Sequence, residues 1–153
     1  MTIEVRNETT VQVDETEFVR LARFAFEALH LHPATELSIL FVDEEAMERL
    51  HVEWMDEPGP TDVLSFPMDE LTPGTPERPA PEGLLGDVVI CPTVAARQAA
   101  ASGHSAVEEM LLLTCHSILH LLGYDHAEEE ERRTMFALQR TLLLSFLATR
   151  RDP

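Results

Sequence analysis

Three of the seven histidines lie in one short stretch, HSILHLLGYDH, which runs from His116 to His126. His116 and His120 are four residues apart, so both imidazoles would project from the same face of a helix. Gly123 follows at a position where helix C-termini favour a left-handed residue, and a turn there would bring His126 toward the same point. The H-x3-H-x5-H spacing therefore predicts a metal site with His116, His120 and His126 as ligands.

Three neutral imidazoles and an open fourth position are typical of a catalytic zinc site, in which water takes the fourth position. We expect one zinc ion per chain, although another divalent transition metal would suit the same ligands. A bound zinc would activate water at neutral pH or polarise a phosphoryl oxygen, and either route could cleave a phosphodiester. The alternative is that the histidines simply pack in a core. Burying two stacked histidines without partners is costly, which favours the metal site.

The frame also resembles that of zinc peptidases, which offers an alternative activity. The metalloprotease signature H-E-x-x-H places a glutamate after the first histidine, where it acts as general base. Ser117 stands at that position here. A peptidase would need another carboxylate, so peptide hydrolysis is the weaker interpretation.

The elements that position these residues alternate between strands and helices over the first two-thirds of the chain. Apolar runs and turn signals predict four strands, at Thr2 to Glu8, Glu36 to Asp43, Asp62 to Pro67 and Leu84 to Cys91. Helical spacing and capping residues predict five helices, starting after Asp14 and Asp43, at Pro92, and at about Ser105 and Ala127. This order predicts an α+β (α/β-like) fold, with a small mixed sheet and the zinc site on a central helix.

We interpret residues 1–153 as a single domain, because the length suits one hydrophobic core. The Pro-rich segment MDELTPGTPERPAPEG, residues 68–83, continues neither periodicity and is expected to be a mobile loop. Cys91 and Cys115 are expected to be reduced and buried. The start of the chain lacks a basic segment followed by an apolar run, which predicts a cytoplasmic protein.

The charge is strongly acidic, with 28 Asp and Glu against 11 basic residues and a formal net charge of −17. This balance argues against non-specific binding to DNA or to membranes, because binding to phosphates normally needs a basic surface. An RNA-directed function would be helped by a partner that holds the protein at the RNA. We therefore expect a protein partner with a basic surface.

The chain is similar to the YbeY family of bacterial metal-dependent endoribonucleases. The resemblance rests on three blocks in the family's order, GPTDVLSFP (Gly59 to Pro67), GDVVIC (Gly86 to Cys91) and HSILHLLGYDH (His116 to His126). It implies a single-strand endoribonuclease that matures the end of small-subunit ribosomal RNA and serves ribosome quality control. It also implies zinc bound by His116, His120 and His126. Together with the acidic charge, it implies docking on the small ribosomal subunit or a ribosomal protein. An alternative is a ribosome-assembly factor with little nuclease activity of its own.

Two positions depart from the family's pattern. Met55 stands where many members have an arginine, which removes a cation for phosphate binding. Ser117 stands where many members have glycine, which concerns helix packing more than metal binding.

Four further polar residues are candidates for supporting roles. Asp87, in the otherwise apolar LLGDVVIC, could orient a ligand histidine or handle a proton, or it could cap a turn or lie exposed on an edge strand. Asp62 and Ser65 could line the cleft or serve strand and turn structure. Asp125 is best explained as a turn residue or helix cap.

Overall fold

The structure is a computed structural model that describes residues 2–149. Its strands are β1 (Ile3–Asn7), β2 (Glu36–Phe41), β3 (Val63–Pro67) and β4 (Leu84–Ile90). Its helices are α1 (Glu15–Ala28), α2 (Glu44–Met55), α3 (Pro92–Ser102), α4 (Ala106–Leu121) and α5 (Glu129–Thr149). Within these described residues, the four strands and five helices confirm the expected α+β class.

The strands form one mixed sheet in the order β1-β2-β4-β3. β1 pairs with β2 and β2 with β4 in parallel, whereas β3 pairs with β4 in the antiparallel direction. The register between β2 and β4 shifts at Glu36 and Leu37, opposite Gly86. This irregularity interrupts the regular alternation of β4 side chains between the two faces of the sheet.

The larger core lies between one face of the sheet and α1, α4 and α5. Phe18 of α1, Phe41 of β2 and Ile118 of α4 are fully buried there, and the rings of Phe18 and Phe41 meet edge to face at 4.9 Å. A smaller cluster on the opposite face joins Met47 of α2 to Val89 of β4 and the neighbouring apolar side chains. Because α4 contacts β3, β4 and the three helices α1, α3 and α5, it is the central helix of the fold.

Local signals in the sequence explain most of the helix ends. The Asp43 carboxylate accepts a hydrogen bond from the backbone N–H of Ala46 at 2.8 Å and caps α2. Gly103 ends α3 in the left-handed conformation, with φ of 79°. Asp14 precedes α1 as predicted, but its side chain forms no capping bond. Its backbone oxygen accepts from Glu17 instead, at 3.1 Å.

Burial differs strongly between side chains of α2. Met47 is fully buried, whereas Trp54 is 61% exposed and packs edge to face on Phe66, with the ring centroids 6.0 Å apart. The last helix begins at Glu129, two residues after its expected start at about Ala127. The sequence pattern predicts which face of a helix is buried, whereas tertiary packing decides how deeply each side chain is buried.

The segment 68–83 contains no helix or strand, as predicted. It is attached to the end of α1, where Gly74 donates to the backbone oxygen of Leu29 at 3.0 Å and Ala80 donates to that of His30 at 2.9 Å. The side chain of Leu71 is buried in the larger core. The mobility of this segment stays a prediction.

Both cysteines are buried and free, as expected. No helix among residues 2–149 is long and apolar enough to cross a membrane. The cytoplasmic location stays a prediction.

Candidate metal centre

The helix α4 carries the first two histidines at its C-terminal end. The Ser105 hydroxyl caps its start by accepting from the backbone N–H of Glu108 at 3.1 Å. His116 is partly buried, and His120, one turn later, is exposed. Buried neighbours on α4, among them Cys115 and Ile118, fix the helix against the sheet and so determine which way these two histidines face.

The turn after α4 returns the chain toward His116. Gly123 has φ of 97°, and its N–H donates to the backbone oxygen of His120 at 3.0 Å. Only glycine adopts this conformation without strain. The rings of His116 and His126 then lie 5.5 Å apart between centroids. The structure therefore brings two of the three predicted ligands into contact.

The third ring, that of His120, does not close a metal-binding cluster with His116 and His126. In residues 2–149, no group of three His, Cys, Asp or Glu side chains converges closely enough to hold a metal ion. His120 is nevertheless near His116, because its charge, like that of His126, lowers the pKa of His116. The three histidines thus share one region of the surface without a finished ligand geometry.

The helix α5 supplies the wall of this region. The Phe136 ring lies 6.1 Å from the His116 ring and 6.2 Å from the His126 ring, between centroids. One turn further on, Gln139 Oε1 lies 2.9 Å from His116 Nδ1. Neither residue was predicted from the sequence. Only the apolar spacing of α5, which places Met135, Leu142 and Leu143 inside, could have indicated that this face meets α4.

Burial lowers the pKa of His116 because it penalises the protonated ring. The bond to Gln139 and the negative charge of Asp62 act in the opposite direction, while His126 and His120 lower the pKa further. Burial dominates, so His116 is neutral at neutral pH. A neutral imidazole is the form that binds a metal.

Asp62 lies close enough to His116 to influence its charge, and it is held in a polar network. Its Oδ1 accepts from the backbone N–H of Val63 at 2.8 Å. With the Gln98 amide oriented so that its nitrogen faces the carboxylates, that nitrogen lies 2.9 Å from Asp62 Oδ2 and 3.3 Å from Glu109 Oε2. Glu109 also contacts His104 Nε2 at 2.5 Å. This network holds Asp62 beside the histidine region, and its role there stays a prediction.

Asp87 is not brought together with the histidines. It lies opposite Phe66 of β3 and Ser38 of β2 in the sheet register, so these three side chains share one face. Phe66 belongs to the cluster under α2, on the opposite side from α4. Ser65, which is opposite Val88, faces the α4 side. Asp125 Oδ1 accepts a hydrogen bond from the backbone N–H of His126 at 2.7 Å, a contact typical of a turn residue.

Ser117 is fully buried, and its hydroxyl has no hydrogen-bond partner within residues 2–149. A side chain directed into the core cannot act on a substrate at the surface. Ser117 therefore offers no replacement for the glutamate of a zinc peptidase, which leaves the peptide-hydrolysis alternative without a general base at that position.

Replacing Ser117 by alanine is expected to stabilise the protein by about 1 kcal/mol, because it removes an unsatisfied buried hydroxyl. The melting temperature should rise by roughly 2–4 °C. The matched control is Ser105→Ala on the same helix, which should cost about 1 kcal/mol because the N-cap is lost. A lower melting temperature for Ser117→Ala would mean that the hydroxyl has a partner, such as a buried water.

The fold and the histidine region define a class of small α+β proteins with histidines on a central helix. The fold is similar to the solution structure of a protein from Thermotoga maritima, with a TM-score of 0.68, 24% sequence identity, and coverage of 97% of this chain and 91% of that one. This similarity concerns the fold alone.

The sequence comparisons identify the family. The family model described as Endoribonuclease YbeY matches residues 2–147. A protein named Endoribonuclease YbeY from Clavibacter sepedonicus is 64% identical over 151 residues, covering 99% of each chain. A protein of the same name from Renibacterium salmoninarum is 67% identical over 147 residues, covering 96% of this chain and 94% of its own. The chain therefore belongs to the YbeY endoribonuclease family, which confirms the expected family and enzyme class.

Proposed function

We propose that this protein is a zinc-dependent endoribonuclease that cleaves single-stranded RNA and matures the end of small-subunit ribosomal RNA. Membership of the YbeY family supports the reaction class. The observation that supports metal dependence is the 5.5 Å distance between the ring centroids of His116 and His126. His116 Nδ1 is also hydrogen-bonded to Gln139. A proposed role in ribosome quality control follows from the same family resemblance.

The donor set fits a zinc ion. Two imidazoles that bind one zinc through nitrogens at about 2.0–2.1 Å have ring centroids roughly 5 Å apart in tetrahedral geometry, close to the separation of His116 and His126. Because the described side chains form no closed group of three, His120 or His126 must rotate to complete the site. His120 is exposed, so nothing buried opposes its rotation. When bound, zinc would lower the pKa of a coordinated water to about 7.

The chain's own residues would hold and orient the metal and the RNA. Gln139 supports His116, and Asp62 lies near enough to place a negative charge beside the same ring. Neither residue needs to touch RNA for these roles. The Phe136 ring, 38% exposed, borders the histidines and offers an apolar surface on which a base could stack.

RNA binding must overcome the electrostatic repulsion that comes with the net charge of −17. Met55 ends α2 and is 45% exposed, but it supplies no cation. Arg97 is paired with Glu44 at 2.9 Å, whereas Arg132 and Arg140 of α5 form no ion pair in the described part of the chain. These two arginines lie four residues to either side of Phe136. They are therefore the cations that we assign to the phosphate backbone.

A partner would also help the protein to reach RNA. An acidic surface is attracted to a basic protein more readily than to a polyanion. We therefore propose docking on the small ribosomal subunit, through a ribosomal protein. The same charge favours the second candidate function, a ribosome-assembly factor with little nuclease activity of its own.

Removing the metal is expected to abolish cleavage of a purified single-stranded precursor ribosomal-RNA fragment. The protein is treated with a chelator, desalted, and assayed before and after one equivalent of zinc is returned. Cleavage should disappear with the metal and return with it. Full cleavage by the metal-free protein would overturn the metal-dependent function.

The same assay separates the second candidate function. Isolated small ribosomal subunits that carry the precursor end are added as an alternative substrate. An assembly factor should leave the free RNA intact with or without zinc. An autonomous endoribonuclease should cleave it without the subunit.

A further inference from the structure

We propose that Gln139 is a positioning residue that holds His116 in the tautomer with hydrogen on Nδ1. This leaves the lone pair of Nε2 free for a metal ion, so the inference rests on the proposed function. It is carried by the 2.9 Å contact between Gln139 Oε1 and His116 Nδ1, which joins α5 to α4.

The chemistry of the two groups gives the contact its direction. A neutral imidazole has one N–H donor and one acceptor nitrogen, while the oxygen of an amide can only accept. A bond from Nδ1–H to Gln139 Oε1 therefore requires Nε2 to be unprotonated. Ligand histidines commonly donate their second ring N–H to a carbonyl or carboxylate oxygen, which fixes both tautomer and orientation.

The two helices hold the pair in place from both sides. Cys115 and Ser117, on either side of His116, are fully buried, so the backbone of α4 cannot shift freely. On α5, Met135 and Leu142 are buried one turn before and after Gln139. Gln139 itself is partly buried, which reduces competition from water for the bond. The position of Gln139 is thus set by packing.

The simplest alternative is a purely structural role, in which Gln139 only links the two helices. Such a role predicts a loss of stability on substitution but no change in the tautomer of His116 or in metal affinity. The two roles therefore differ in a property that can be measured without RNA and without metal.

The test compares Gln139→Leu, which removes the acceptor, with Gln139→Glu, which keeps one. The tautomer of His116 is measured in the metal-free protein by long-range proton–nitrogen NMR, and zinc affinity by competition with a chelator. The wild-type protein should show Nδ1–H. Gln139→Leu should populate the Nε2–H form and weaken zinc binding by about 10–100-fold. Gln139→Glu should preserve the wild-type tautomer and restore most of the affinity.

Gln12→Leu is the matched control, because Gln12 is exposed and lies near the start of the chain. It should change neither readout. The proposal is overturned if the wild-type ring is Nε2–H, or if Gln139→Leu keeps the wild-type tautomer. If the wild-type tautomer depends on Gln139 but the protein binds no zinc, the positioning role stands and the zinc-dependent function fails.

Discussion

The variant His120→Ala is expected to lose bound zinc and to cleave single-stranded ribosomal RNA at least about 100-fold more slowly. Removing a residue that merely supports a ligand commonly costs 10–100-fold, and removing the ligand itself should cost at least as much. His120 is exposed at the end of α4, so its loss should leave the core and the melting temperature of the metal-free protein nearly unchanged. This separates a loss of chemistry from a loss of structure.

The measurement combines zinc content of the purified protein, RNA cleavage rate, and thermal unfolding without metal. His32→Ala is a suitable control, since His32 is a partly exposed histidine whose ring contacts the nearby backbone of Ala34 at 3.0 Å. It should retain both zinc and cleavage. If His120→Ala holds a full equivalent of zinc and cleaves at the wild-type rate, His120 is not a ligand. Zinc retained with cleavage lost would indicate that His120 acts on the RNA instead.

The helices and strands were predictable because their signals are local. The apolar run in Glu36–Phe41 and the glycine after α4 act within a few residues, and both predicted the observed structure. The approach of His126 to His116 was predictable for the same reason, since one short turn connects them. By contrast, the strand order β1-β2-β4-β3 depends on contacts between distant segments, which no local pattern encodes.

The surroundings of the site were predictable only in part. Asp87 stood out as a polar residue in an apolar strand, but its face depends on pairing with β3 and on the irregular register at Gly86. A shift of one residue moves a side chain to the other face of a sheet. Gln139 lies 23 residues after His116, and its contact arises from the packing of α5 on α4. Such a contact requires the tertiary structure.

Gly86 is a position where a small substitution should strongly damage the fold. Its φ is +147°, a conformation that other residues rarely adopt, and an added Cβ would lie 2.3 Å from the backbone oxygen of Phe66 and 3.0 Å from Leu121 Cδ2. The first contact is with the neighbouring strand, which cannot move without breaking the pairing of β3 with β4. The second is with the last residue of α4, next to His120. Gly86 therefore lets the sheet approach the helix that carries the histidines.

The variant Gly86→Ala is expected to lose about 3–5 kcal/mol of stability, from backbone strain together with the steric conflict. The matched control is Gly103→Ala, where φ is also positive, at +79°, but an added Cβ meets nothing within 4 Å. That variant should lose only about 1 kcal/mol, from strain alone. Denaturant unfolding of both proteins measures the difference, which reflects the contacts with Phe66 and Leu121 together with the different backbone strain at the two φ values. Equal losses would show that β3 and α4 move apart at little cost, and that the close approach at Gly86 is not needed to position the end of α4.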